Sequence, residues 1–162
     1  MVAVKESRLR ASQRQQTRAA QATSEEAQSP VEGIYAALAE LSPARACQSL
    51  AQCCRFQLTG KVPHLTKGEA LYLARGLRAS GRTKVPDSPE GACPLLGKTQ
   101  RCVAYAHRPF GCRTHFCAAA GGPMERRSVI ALIHQLETLD EQLGGNGAKP
   151  LPQALKEALV GD

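Results

Sequence analysis

The chain has 162 residues, the length of one domain with short additions. Hydrophobic residues make up 43% and charged residues 22%, and this composition excludes global disorder and fibrous repeats. The formal net charge is +7, while aromatic residues are only 4% with no Trp, which argues against an aromatic platform for single-stranded nucleic acid. We therefore expect one core built mainly from Leu, Ala and Val.

Nothing in the sequence suggests a membrane or export segment. The apolar runs, such as residues 129–133, are far shorter than the roughly 20 residues of a membrane span. The N-terminus lacks the apolar stretch of a secretory signal. We therefore predict a cytoplasmic protein without a membrane span. Cytosolic cysteines are kept reduced, which favours metal ligation or thiol chemistry over a disulfide framework.

The predicted organisation has three parts. Residues 1–28 contain few large apolar side chains and five basic residues against three acidic ones, which predicts a disordered, weakly basic tail. A basic arm for nucleic acid or an acidic partner is the alternative for this tail. We predict a cysteine-cluster domain over residues 29–122 and C-terminal helices that pack on it over residues 123–162.

Four helices are predicted from capping and periodicity. The sequence Ser29-Pro30-Val31-Glu32 is typical of a helix start and predicts a first helix with Ile34, Leu38 and Leu41 on one face, ending near Pro43. Thr66 and Glu69 form a second capping box, which opens a helix that stops near Gly81. The third and fourth helices are predicted over residues 124–143 and 150–160. Their apolar stripes consist of Val129, Leu132, Ile133, Leu136, Leu139 and Leu143, and of Leu151, Leu155 and Leu159.

The stripe of the third helix needs a partner, and docking on the domain's own helices is favoured over a dimer interface. Residues 81–123 contain five prolines and several glycines, so only short regular structure is expected there. We expect bound metal to help order this segment.

The strongest signal is the clustering of all seven cysteines within 71 residues. They are Cys47, Cys53, Cys54, Cys93, Cys102, Cys112 and Cys117. Thiolates bind zinc and the iron of iron–sulfur clusters, and each such site normally takes four protein ligands. Seven thiols exceed one site, so all seven are candidate metal ligands.

Other residues lie at characteristic spacings around these cysteines. They are Val62, Leu65, Thr66, Glu69 and Ala70 in the middle of the region, and Cys93-Pro94-Leu95-Leu96, Cys102, Tyr105, Arg108-Pro109, Cys112-Arg113 and Cys117 at its end. This arrangement over residues 47–117 resembles the CxxCxxCC or YkgJ-type cysteine-cluster family, whose members are described as zinc- or iron-chelating domains. The resemblance implies a mostly helical, cysteine-rich domain that binds zinc or iron, including an iron–sulfur cluster.

The chain departs from the family pattern at one cysteine. Leu50 stands where the family has the second cysteine of its first group. Seven thiols then complete one four-cysteine site and leave a second incomplete, so another ligand or an open position is needed there. His64, His107 and His115 are the candidate substitutes, and His115 is nearest in sequence because it lies between two cysteines.

Basic residues surround the cysteines. Residues 45–127 hold 14 of the 21 Lys and Arg but only four acidic residues. Arg55, Arg101, Arg108 and Arg113 adjoin or flank cysteines, where guanidinium groups would stabilise thiolates. The alternative is a metal-stabilised module that binds nucleic acid or an acidic protein without catalysis. No pattern identifies a reaction, so whether the protein is an enzyme stays open.

Overall fold

The computed structural model describes residues 25–42, 50–87 and 91–160, and the predicted mostly helical fold is confirmed. Residues 25–41 are helical and are called α1. The remaining elements are α2 (Phe56–Thr59), β1 (His64–Leu65), α3 (Lys67–Ala79), α4 (Phe110–Thr114), α5 (Arg126–Gln142), β2 (Lys149–Pro150) and α6 (Leu151–Val160). No helix in the described ranges is both long enough and apolar enough to cross a membrane.

The first core lies between α3 and α6. The antiparallel pair β1–β2 brings the starts of these helices together, with His64 opposite Pro150 and Leu65 opposite Lys149. The side chains at the centre of this core are almost completely buried, namely Leu65, Leu73, Leu77, Leu151 and Leu155. The predicted capping box of α3 and the predicted stripe of α6 are both confirmed.

The second core lies between α1 and α5. Val31, Ile34 and Leu38 of α1 pack in one cluster with Val129, Leu132, Leu136 and Leu139 of α5. The stripe of α5 is therefore covered by the chain's own helices, as predicted. Phe110 of α4 belongs to the same cluster, so this core reaches the segment that carries Cys112.

The prediction for the start of the first helix is wrong. Residues 25–28, assigned to the disordered tail, are already helical, and Ala27 is fully buried in the first core. The helix therefore runs through Pro30, which lacks the main-chain N–H for one helical hydrogen bond, while Ala27 packs in the first core. Leu41 was placed on the buried face but is 50% exposed, whereas Tyr35 is buried instead. Residues 1–24 and Pro43 lie outside the described residues.

Regular structure in the described part of 81–123 is short, as predicted, and main-chain hydrogen bonds contribute to its order. Val103 N–H donates to Leu95 O (2.8 Å) and Gly97 N–H donates to Arg101 O (2.8 Å), which closes a small hairpin. Met124 N–H donates to Thr114 O (2.8 Å) and holds the exit of α4. These bonds order the loops in addition to any contribution that bound metal would make.

Candidate functional site

Five cysteines line one cavity of about 540 Å³. They come from three parts of the chain: the turn Gln52–Cys54, the loop around residues 93–102, and α4. The five are Cys53, Cys54, Cys93, Cys102 and Cys112. All six cysteines in the described ranges are thiols. The fold thus gathers on one wall side chains that are up to 59 positions apart in sequence.

Main-chain hydrogen bonds set the positions of the first four thiols. Cys93 N–H donates to Cys54 O at 2.6 Å, which ties the loop to the turn that carries Cys53 and Cys54. Leu96 and Cys102 form an isolated antiparallel bridge within the hairpin. The hairpin thereby returns Cys102 towards Cys93.

A buried carboxylate positions the fifth thiol. Glu69 Oε1 accepts a hydrogen bond from Phe110 N–H (2.8 Å) at the start of α4, and a second from the Tyr35 hydroxyl (3.1 Å). Its Oε2 accepts from the main-chain N–H and the hydroxyl of Thr66. Because α4 is a short helix that begins at Phe110, this anchoring fixes where Cys112 points.

The thiols differ in acidity. The Sγ atoms of Cys53 and Cys54 are 3.9 Å apart. The hydrogen bond from the Cys54 thiol is the main reason why the pKa of Cys53 is lowered to about 6, while the same pairing raises the pKa of Cys54. Burial raises the pKa of Cys93 to about 12 and also raises that of Cys112. Among Cys53, Cys54, Cys93 and Cys112, Cys53 is therefore the thiol whose ionised form is most favoured.

The sulfurs line the cavity wall but do not enclose a common point. In the ranges 25–42, 50–87 and 91–160, no group of three or more His, Cys, Asp or Glu side chains has an arrangement that would hold a metal ion. A metal bound by four of these thiols therefore requires the walls to move inward.

The other two predicted ligands stand apart from this group. Cys117 is partly buried but is not among the residues that line the cavity; its carbonyl instead accepts from Gly122 N–H (3.0 Å). Cys47 lies outside the described residues. The structure therefore brings together five of the seven predicted cysteine ligands.

Of the three candidate histidines, only His115 lines the cavity. His64 is exposed on β1, where its Nδ1 lies 3.1 Å from Val62 O. The His107 ring packs against Tyr72, with ring centroids 5.0 Å apart. His115 thus remains the candidate substitute ligand, as its place in the sequence suggested.

The four arginines have different roles. Arg101 and Arg108 line the cavity. The charge of Arg108 contributes to the lowered pKa of Cys53 and partly offsets the rise that burial causes in the pKa of Cys112. Arg55 lies at the surface, where its Nη2 donates to Gln100 Oε1 (2.9 Å).

Arg113 does not face the thiols, contrary to expectation. Its Nε donates to Arg108 O (2.7 Å), its Nη2 donates to Ala106 O (2.6 Å), and its guanidinium lies 4.1 Å from the centre of the Tyr35 ring. Arg113 therefore braces the main chain before α4.

Sequence reasoning missed the apolar part of the cavity. Phe56, Pro63, Leu95 and Leu151 all contribute to its lining. Leu95 and Leu151 also belong to the first core, so their apolar character signals burial and gives no indication of a cavity. Phe56, on the four-residue helix α2, follows directly after a Cys-Cys-Arg sequence, and that proximity is the one signal available for it.

The chain matches no protein-family model, no curated protein and no solved structure. The resemblance to YkgJ-type proteins therefore stays a prediction that rests on the residues named above.

Proposed function

We propose that this protein is a cytoplasmic metal-binding protein that holds zinc or iron, the latter alone or in an iron–sulfur cluster, through its clustered cysteines. The observation that carries the proposal is the convergence of Cys53, Cys54, Cys93, Cys102 and Cys112 on one cavity. Soft thiolate donors suit zinc, iron–sulfur clusters and copper(I). Five thiols supply one four-ligand site with one sulfur to spare.

One sulfur pair already has a spacing that suits a metal site. In a tetrahedral centre with metal–sulfur bonds of about 2.3 Å, sulfurs are roughly 3.8 Å apart. Cys53 and Cys54 have a sulfur separation of 3.9 Å. The remaining sulfurs would move towards this pair on loading, so binding is coupled to ordering of the loops.

Charge also favours a loaded thiolate centre. A divalent metal with four thiolates carries a charge of about −2, and Arg101 and Arg108 on the cavity wall would offset it. Burial alone disfavours ionised Cys93 and Cys112, so a bound cation is the factor that would deprotonate them.

The proposal is tested by metal analysis of protein purified without oxygen. Stoichiometric zinc in a colourless protein identifies a zinc site, whereas visible charge-transfer absorption with iron and sulfide identifies an iron–sulfur cluster. A folded protein that contains neither metal, and takes up neither when reconstituted, contradicts the proposal.

Replacing one cavity cysteine tests the ligand set. We expect Cys112→Ser to lower bound metal by at least half and to lower Tm by about 5 °C, the shift expected for a loss of about 2 kcal/mol. Cys117→Ser is the matched control, because Cys117 lies outside the cavity lining, and it should change both quantities less. If the two substitutions change bound metal and Tm equally, the cavity cysteines are not the specific metal ligands.

A second candidate is a metal-stabilised module that binds nucleic acid or an acidic protein. It is favoured by the cavity lining, which includes Lys61, Arg101 and Arg108 and, in the part of the chain that the structure describes, contains no Asp or Glu. Retention on DNA that falls steeply with salt supports nucleic-acid binding. If the protein is not retained on DNA even at low salt, nucleic-acid binding is excluded.

A further inference from the structure

The cavity beside the thiols is larger than a metal ion needs. Its volume of about 540 Å³ lies in the range of small-molecule sites, roughly 300–1,000 Å³. Much of its wall is apolar, with contributions from Phe56, Val62, Leu95 and Leu151. The thiols occupy one part of this wall, so space for an organic group adjoins them.

The polar groups of the cavity favour an anion. Lys61, Arg101 and Arg108 line it, and none of the described residues in its lining is acidic. The Arg108 guanidinium lies 4.0 Å from the centre of the Tyr105 ring, and in the described residues its buried Nε has no hydrogen-bond acceptor. No ion pair recorded in the described residues engages any of the three cations.

The charges indicate the class of anion. With a loaded centre of about −2, the three cations leave roughly one positive charge in the cavity. A carboxylate carries one negative charge, whereas a phosphate monoester carries about −1.5 to −2 at pH 7. The planar guanidinium of an arginine matches a carboxylate geometrically.

We propose that the cavity binds an organic carboxylate with an apolar body, the apolar part lying against Phe56 and Val62 and the carboxylate near Arg101 and Arg108. The charge argument rests on the proposed metal centre, while the volume, the apolar wall and the unpaired cations do not. The proposal thus assigns a class of small-molecule ligand, organic carboxylates, to the cavity beside the proposed metal site.

The probe is 4-phenylbutyrate, titrated into the full-length, metal-analysed protein and followed by amide chemical shifts. We expect shifts at cavity residues such as Cys102 and Tyr105. The neutral 4-phenylbutanamide and the short butyrate should each bind at least about tenfold more weakly, since each lacks one of the two groups that the cavity recognises. Equal binding of the acid and the amide, or shifts confined to other surfaces, would overturn the inference.

Matched arginine variants locate the carboxylate. Arg108→Gln should weaken 4-phenylbutyrate binding about tenfold. Arg126→Gln, an exposed arginine outside the cavity, should not change it. If Arg108→Gln fails to fold, the exposed Arg101→Gln replaces it and should weaken binding several-fold; unchanged binding contradicts the proposal.

The metal content of every sample separates the two proposals. If the protein is loaded with metal but does not bind 4-phenylbutyrate, the carboxylate site is refuted and the metal centre is not. A protein that never binds metal but takes up 4-phenylbutyrate in an arginine-dependent way refutes the metal centre alone.

Discussion

The side chain of Glu69 connects several parts of the structure through hydrogen bonds. The sequence identifies it as the third residue of a capping box, and that local role is confirmed by its bonds from Thr66. Its bonds from Tyr35 and Phe110 join α1 and α4 to the same carboxylate. Burial raises the pKa of Glu69, and the hydrogen bonds from its four donors oppose that shift.

Glu69→Gln tests this junction. Because both carboxylate oxygens accept two donors each, an amide group would turn an N–H towards other donors. We expect the free energy of unfolding to fall by about 1–3 kcal/mol, measured by urea denaturation. Glu137→Gln, on the exposed face of α5, is the control and should change stability by less than about 0.5 kcal/mol. An equal effect would show that the junction contributes nothing.

At the scale of elements, α3 approaches the cavity wall through a glycine. A methyl group at Gly76 would lie within 2.7 Å of three atoms of the His107 ring, so only glycine allows this contact. His107 precedes Arg108 directly, and the turn Tyr105–His107 rests on α3. The closeness of the helix therefore helps to set the position of the Arg108 segment.

Replacing glycine with alanine inside a helix usually stabilises a protein, but we expect Gly76→Ala to destabilise this one. Alanine normally adds up to about 1 kcal/mol, but overpacking against His107 costs about 1–3 kcal/mol, so we expect lower stability by thermal unfolding. Gly33→Ala in α1 is the matched control, because its added methyl meets no atom within 4 Å, and it should stabilise. Replacing His107 with Ala in the Gly76→Ala background should recover stability; no recovery would place the strain elsewhere.

At the scale of the whole molecule, the helices depend mainly on the two cores, whereas the thiol cavity depends more on loops that contribute few core residues. The two cores use leucine, valine and alanine side chains of α1, α3, α5 and α6. The cavity wall is built from the turn Gln52–Cys54, the 93–102 loop and α4, which are joined by main-chain hydrogen bonds and add a few side chains to the cores, such as Leu95 and Phe110. We therefore expect the proposed metal to stabilise the wall more than the cores.

Metal removal should reveal this division. After treatment with a strong chelator, helical circular dichroism should stay nearly unchanged, while amide hydrogen exchange in residues 50–62 and 91–117 should speed up by about tenfold or more. Protection within α3 and α6 should persist. Loss of helical signal together with loop protection would show that the cores also depend on metal.

Local patterns were enough to predict much of the fold. The capping residues Thr66 and Glu69 and the apolar stripes of α5 and α6 specify helices because they act within a few turns. The start of α1 was not predictable in this way, because Ala27 is buried by contacts with distant residues. Local capping signals could not reveal that burial.

The sequence by itself determined that the protein is mostly helical and that its cysteines are concentrated in one segment of the chain. Only the tertiary structure decided which of them share a cavity, that Arg108 faces the thiols while Arg113 braces the chain, and that an apolar wall lies beside them. Residue type fixes what a side chain can bind. Its direction and its neighbours depend on contacts between segments far apart in the chain, which sequence spacing does not encode.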